Sequence, residues 1–290
     1  MKKRTKKVYV YYHKDCFDGF CAAWVVWKKL GEKAAYTALL PDSLPKKLPH
    51  NSLLFFVDLC PRGNKIALLK KKGNVVTVID HHQSSAAYVA FADDYLFDTK
   101  KSGAGLAWKY FFAGGKAPWL VRYVEDGDLW RRKYSQTNLV RNMLALEGMD
   151  DFNRWGLFAK KVENPKTRRI IFTGGKLIEK YRQRLIEESA ARAQKVRFEG
   201  HTVYAVNEST ESIRSEVAHV LYAKLPPFSI VWAQDESEIH ISLRSEKGLF
   251  DVTRLAKKYG GGGHPVAAGI RLPLGTPLPW KIVKKSNGKK

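Results

Sequence analysis

A chain of 290 residues is more than one hydrophobic core usually organises, which points to two domains. With 44% hydrophobic and 27% charged residues it is neither disordered nor fibrous in composition, and its longest apolar run, residues 20–27, falls far short of the roughly 20 residues that cross a bilayer. The 51 Lys and Arg against 28 Asp and Glu give a formal charge of +23, a field that attracts polyanions, nucleic acid first among them, and holds them salt-dependently.

Taken in chain order, residues 8–12, 53–57 and 75–79 read as buried strands, dense in Val, Phe and Tyr. Helical stretches follow them at 19–30, 64–72 and 102–112, the alternation that builds a mostly parallel sheet with helices on its faces. Helical patterns continue through 119–144 and 151–158, and 176–196 reads as a long connecting helix. Beyond Gly200 come strands at 201–206, 228–232 and 239–244, with helices at 212–225 and 252–258. The fold class expected is therefore α/β, a mostly parallel N-terminal domain joined by a long helix to a smaller α/β domain. The expected bounds are 1–165, 166–199 and 200–290, with fraying Lys-rich ends. Three cysteines, Cys16, Cys21 and Cys60, make no CxxC pair and are expected to be reduced. The start lacks the apolar stretch of a secretion signal, so residence in the cytoplasm without a membrane is expected.

Open parallel sheets bind ligands at the carboxyl ends of their strands. There the first strand runs into His13, Lys14, Asp15, Cys16, Phe17, Asp18 and Gly19, the second into Asp58, and the third into Asp80, His81 and His82. Glu125, Asp126, Gly127 and Asp128 follow on a helical stretch. One Asp after one strand reads as a helix cap. Several carboxylates crowded together raise one another's pKa and persist most easily when cations neutralise them. Mixed Asp and His donors without paired cysteines suit two divalent ions of the manganese, magnesium or cobalt type, or zinc in an open site.

The Asp80-His81-His82 triplet, the His13-x-x-Cys16-x-Asp18-Gly19 segment, Asp58 after its strand and the Asp126 segment resemble the motifs of the DHH phosphoesterase superfamily. Ser242-Leu243-Arg244-Ser245, followed by four glycines, His264-Pro265 and Ala267-Ala268-Gly269, resembles the DHH-associated (GGGH) domain of the oligonucleotide-degrading, oligoribonuclease or nanoRNase-like branches. The motifs span about residues 8–270. By motif, the resemblance implies His13 and Asp58 on one metal and Asp18, Asp58, His81 and Asp126 on the other, with Asp58 bridging and Asp128 the second candidate for Asp126's place. It implies that Asp80 orients the histidines and that His82 faces the scissile phosphate. Where many members carry Asp two residues before the Asp-Gly pair, this chain has Cys16. Either Cys16 joins the first metal, or Asp15 is recruited instead, or Cys16 is simply a small buried residue.

Two cations side by side favour in-line hydrolysis of a phosphate ester. Four glycines after Tyr259 are expected to leave backbone N–H groups open to a phosphate or base edge, or else to form a hinge. Arg244 suits bidentate pairing with phosphate. Expected substrate contacts are thus Arg244, Gly261, Gly262, Gly263 and His264. Lys100 and Lys101 before Ser102 read either as phosphate contacts or as surface lysines before a helix cap. The function expected is a metal-dependent phosphodiesterase or exonuclease that uses two divalent ions, manganese foremost, on short oligoribonucleotides or single-stranded nucleic-acid ends. The alternatives are a small-nucleotide phosphoesterase, acting on an adenosine bisphosphate or a dinucleotide, and a nucleic-acid-binding protein with an inactive centre. The sequence leaves protein partners open.

Overall fold

The computed structural model describes residues 6–113 and 115–283; the outermost parts of the Lys-rich ends, expected to fray, lie outside that range. The chain divides into two units, Met1–Glu179 and Lys180–Lys290. Among the described residues no helix is long and apolar enough to cross a membrane.

The first unit runs β1 (Val8–His13), α1 (Phe17–Leu30), β2 (Ala34–Leu39), β3 (Leu53–Val57), α2 (Lys65–Lys71), β4 (Val75–Asp80), β5 (Asp94–Phe97), α3 (Gly103–Phe111), α4 (Trp119–Asp128), α5 (Thr137–Ala145) and α6 (Phe152–Glu163), then enters α7 (Pro165–Ala191). Its five strands lie in the order β2-β1-β3-β4-β5, every pair parallel. Both faces are covered. Val10, Val57 and Ile79 pack on α1, α3, α4 and α6, while Tyr11, Leu54, Phe56, Val76 and Val78 pack on Ile66 and Leu69 of α2. That two-sided burial explains why β1, β3 and β4 are continuous apolar runs. The chain steps from β1 outward to β2 and then returns to β3 on the other side. The topological switch point, and the crevice it opens, therefore lies between the carboxyl ends of β1 and β3.

Several elements depart from expectation. β2 and β5 carry no strong strand signal: β2 is Ala-rich and β5 is a four-residue edge strand whose residues are exposed or half-buried. The helical stretch expected over 119–144 is two helices, because Trp130 and Arg132 both take left-handed backbone, at φ 50° and 53°. The long helix starts earlier and ends sooner than 176–196. Pro165 opens it, where a missing N–H is harmless, and residues 194–198 leave it to become a strand.

The second unit takes the remainder of α7 and adds β6 (Gln194–Phe198), β7 (His201–Asn207), α8 (Glu211–Lys224), β8 (Phe228–Gln234), β9 (Glu238–Ser245), α9 (Thr253–Lys258), β10 (Gly262–His264), β11 (Ala267–Pro273) and β12 (Lys281–Ile282). The sheet order is β10-β11-β9-β8-β7-β6-β12, antiparallel except for β7 beside β8. Phe198, Phe228, Ile230 and Leu243 pack with Leu255 and Ala256 of α9 on one face; Val206 and Val231 pack with α8 and with Ile186 of α7 on the other.

Candidate metal centre

Five chain segments converge at the switch point. β1 ends on His13, β3 leads into Asp58, β4 leads into His81 and His82, α1 carries Asp18 in its first turn, and α4 closes on Asp128. Asp58 turns the chain in the left-handed region, φ 55°, a conformation Asp tolerates better than most residues, while its N–H donates to the Ile79 carbonyl at 2.8 Å. The turn buries the Asp58 carboxylate to 1% exposure with neither oxygen in a hydrogen bond. Its neighbours are His81 Nε2, 3.1 Å from Oδ1, and His13 Nδ1, 3.5 Å from Oδ2. His81 Nε2 also stands 3.8 Å from Asp18 Oδ2 and 3.7 Å from Asp128 Oδ2.

Two groups of potential ligands, His13-Cys16-Asp58 and Asp18-His81-Asp128, each bring their donor atoms within 4.8 Å of one another, and Asp58, His81 and His82 form a third such group between them. Buried carboxylate oxygens left unpartnered among imidazole, carboxylate and thiol donors are what a divalent cation satisfies, so these residues fit a metal pair.

Electrostatics agree. Burial, with Asp58 and Asp128 adding repulsion, pushes the Asp18 carboxyl well above the usual range, and burial likewise raises Asp128. Burial opposes charging His81, but the Asp58 carboxylate, with Asp18 and Asp128, raises it to about 9. Burial would lift Asp58 too, yet His13 and His81 together hold it below the ordinary value. Burial and Asp58 push the Cys16 thiol up. Without cations, protons compensate the crowded negative charge, and cations must displace them. Manganese titrated at pH 7 should accordingly release protons, seen as buffer-dependent heats in calorimetry, and bind more tightly as pH rises toward 9; heats independent of buffer would contradict this.

Two helix starts close around the cluster, and glycine permits both approaches. A Cβ on Gly19 would lie 2.4 Å from the His13 carbonyl oxygen; one on Gly103 would lie 2.4 Å from Asp58 Cβ and 2.7 Å from Oδ1. The Gly103 and Ala104 N–H groups donate to Asp18 at 2.5 and 3.0 Å, so the α3 N-terminus orients that carboxylate. Gly103→Ala should displace Asp58 and weaken manganese binding at least about tenfold by calorimetry, the size of a lost ligand contact. Ser102 caps α3, its Oγ accepting from the Gly105 N–H, while Lys101 pairs with Glu125 at 3.4 Å; these are the capping alternatives.

His82 and Asp80 form a separate pair. The completely buried Asp80 takes the His81 N–H at 2.8 Å and holds His82 Nδ1 at 2.7 Å, and that bond raises the His82 pKa. This geometry assigns the Nδ1 proton to the Asp80 side and leaves Nε2 free.

Asp126 is not in the cluster. Only 3% exposed, it accepts from the Lys133 N–H at 2.8 Å, the Tyr134 N–H at 3.3 Å and the Thr137 hydroxyl. Two residues along a helix rotate a side chain by about 200°, so Asp126 and Asp128 face opposite ways, and it is Asp128 that meets His81. Asp15 points to solvent beside Lys14, which leaves Cys16 as the donor from that segment.

In the second unit three of the five expected contacts fall on one sheet face. Register pairs His264 with Ala267 and Ala267 with Arg244; two rows along, Gly262 pairs with Gly269 and Gly269 with Ser242. Leu243 and Ala268 alternate onto the packed face, so Arg244, His264 and Gly262 share the opposite one. The glycines differ in role. Gly260 at φ 71° and Gly261 end α9, donating to Lys257 and Ala256, so the Gly261 N–H is not open to a ligand as expected. Gly263, at φ 145°, lies against Ala267. Gly260 and Gly262 both meet open space where a side chain would be, and of the two only Gly262 lies on the Arg244 face.

Two family models match the chain: the DHH family, N-terminal domain, over residues 7–126, and the DHHA1 domain over residues 201–279. The chain belongs to the DHH superfamily of metal-dependent phosphoesterases. An uncharacterized protein of Acanthamoeba polyphaga mimivirus, R106, is 28% identical over 288 residues, and the chain spans 66% of that relative's length. Among solved structures, the pGpG-specific phosphodiesterase PggH from Vibrio cholerae is similar in fold at TM-score 0.53 and 15% identity, covering 93% of this chain and 94% of that one. The exonuclease RecJ bound to manganese is similar at TM-score 0.50 and 16% identity, covering 92% and 86%.

One feature of this DHH protein has no counterpart among the motif residues. Trp130, two residues past Asp128, is 78% exposed on a loop pinned by Asp126 and by Arg131, which donates to Glu125 at 2.8 Å. An exposed aromatic in left-handed backbone followed by Arg131, Arg132 and Lys133 was visible in sequence only as a basic cluster.

Proposed function

We propose that this chain is a two-metal phosphodiesterase that shortens oligoribonucleotides or single-stranded nucleic-acid ends by in-line hydrolysis to mononucleotides. The observation that carries the reading is the buried Asp58 carboxylate with both oxygens unpartnered among six other potential ligands. His13, Cys16 and Asp58 would hold one divalent ion, and Asp18, Asp58, His81 and Asp128 the other. When bound, such ions polarise a phosphoryl oxygen and lower the pKa of water beside it. Manganese suits the carboxylate-rich set of Asp18, Asp58, His81 and Asp128, whereas the Cys16 thiol would draw a softer ion such as zinc to its own set. His82, oriented by Asp80 and with a raised pKa, donates from Nε2 to a nonbridging phosphate oxygen, a charge-assisted bond that strengthens as negative charge develops.

Nucleic acid is favoured over inorganic polyphosphate by the +23 charge and by Trp130, a flat exposed ring next to Asp128 on which a base can stack. Arg244, Gly262 and His264 supply a second substrate surface, polar and small enough for close backbone approach. The three free cysteines, one a proposed ligand, suit the reducing cytoplasm. Trp130→Ala should raise KM for a pentanucleotide about tenfold, the scale of one lost stacking contact, while leaving turnover of a small unstacked phosphodiester unchanged; equal effects on both would refute a stacking role.

The deciding experiment incubates the protein with end-labelled RNA and DNA of two, five and twenty nucleotides, with manganese, magnesium or chelator. Metal-dependent release of mononucleotides from short RNA supports the reading. Confinement to the dinucleotide favours the small-nucleotide alternative, to which the PggH fold likeness also lends weight. Retention of RNA without cleavage favours the binding protein.

A further inference from the structure

The first unit holds a second concavity that the metal centre does not use. The C-terminal half of α1, the start of α4 and α6 enclose about 1080 Å³, walled by Trp24, Trp27 and Trp119 and bordered by Lys28, Arg122 and Lys160. On α1 the lining begins at Trp24, six positions past Asp18, and on α4 it reaches Arg122, six positions before Asp128. At the helical rise this places the near edge of the cavity roughly 9 Å along both helices from the metal cluster.

Three independent features describe what it would take. Trp24 is 1% exposed and its indole N–H has no acceptor, an unsatisfied buried donor that a ligand oxygen or nitrogen would relieve. Gly156 interrupts the middle of α6, where glycine costs about 1 kcal/mol relative to alanine, yet neither its φ nor its packing requires it. A Cβ there would sit at an ordinary 3.7 Å from Trp24 Nε1, so the missing side chain leaves this wall of the cavity thin over the indole. The cations are held on the aromatic walls: Lys28 Nζ lies 5.1 Å from the Trp24 ring centroid, and the Arg122 guanidinium 4.9 Å from that of Trp119. The lining carboxylate Glu163 accepts from the backbone N–H of Trp119 at 2.5 Å.

The partly exposed indoles of Trp27 and Trp119, the buried Trp24 N–H seeking an acceptor and the surrounding positive charge together fit a planar heterocycle bearing a phosphate. We infer that this cavity is a second nucleotide site, taking the base and phosphate of a nucleoside monophosphate, free or as one unit of a single strand. An acidic peptide matches the charge but brings no planar ring to the partly exposed Trp27 and Trp119. The inference stands apart from hydrolysis at the metal centre.

The test uses the full chain in chelator, with ¹⁵N-labelled tryptophan and the Trp24 and Trp119 indole signals assigned through Trp24→Phe and Trp119→Phe. AMP should shift both signals, whereas adenosine alone and inorganic phosphate alone should bind at least about tenfold more weakly. Tighter binding of a pentanucleotide than of AMP identifies a strand as occupant; equal binding identifies the free nucleotide. The exposed pair Lys28→Gln/Lys160→Gln should weaken AMP about tenfold, and Gly156→Leu should abolish the shifts, with metal-dependent turnover of a small phosphodiester unchanged in both. Unshifted Trp24 and Trp119 signals with AMP and pentanucleotide alike, undiminished affinity in the double lysine variant, or tighter binding of a polyglutamate peptide would overturn the assignment.

Discussion

Asp58→Asn is expected to lower phosphodiester hydrolysis at least about a thousandfold while the protein stays folded, because the one carboxylate placed between both ligand groups is lost along with several kcal/mol of charge stabilisation in the transition state. The side chain keeps its shape, so the neighbouring elements keep their packing. The measurement pairs kcat/KM under manganese with thermal denaturation with and without the ion. Manganese at a hundred times its Kd should stabilise the parent by about 2.7 kcal/mol and the variant hardly at all. Undiminished turnover in Asp58→Asn would reject the bridge.

The second large effect separates two aspartates on one helix. Asp128→Asn should lower turnover at least about a hundredfold, since it removes a donor facing His81. It should leave the metal-free protein as stable or more so. The folded-state pKa of Asp128 is raised, so its ionisation opposes folding as pH climbs above the ordinary carboxylate value, and a neutral amide removes that penalty at pH 7. Asp126→Ala should do the reverse. Two backbone N–H groups and the Thr137 hydroxyl lose their acceptor, a loss on the order of 3 kcal/mol, while chemistry in the fraction that remains folded persists. Urea denaturation of both variants beside their manganese-dependent rates checks the contrast; a stable, inactive Asp126→Ala would invert it.

That contrast also marks how far the sequence could be read. β1, β3 and β4 were legible because burial on both faces makes them dense apolar runs, and their ends therefore delivered His13, Asp58, Asp80, His81 and His82 directly. Helix phase was not legible: the choice between Asp126 and Asp128 turns on where α4 ends, and the break depends on left-handed backbone at Trp130 and Arg132 that no periodicity announces. The glycine run read as one ligand-binding feature, yet its first two members terminate α9, and only register pairing brings Gly262 and His264 onto the Arg244 face. Trp24 and Trp27 sat inside an apolar run that reads as core, which hid the cavity they line.

One further group of potential ligands, Asp235, Glu238 and His240, lies exposed or half-buried on the β8–β9 hairpin and competes on composition alone. Anomalous scattering from manganese-soaked crystals distinguishes the two most directly. Two peaks should flank Asp58, one against His13 and Cys16 and the other against Asp18, His81 and Asp128. Density confined to the hairpin, or none within bonding reach of Asp58, would contradict a metal pair at the end of β3.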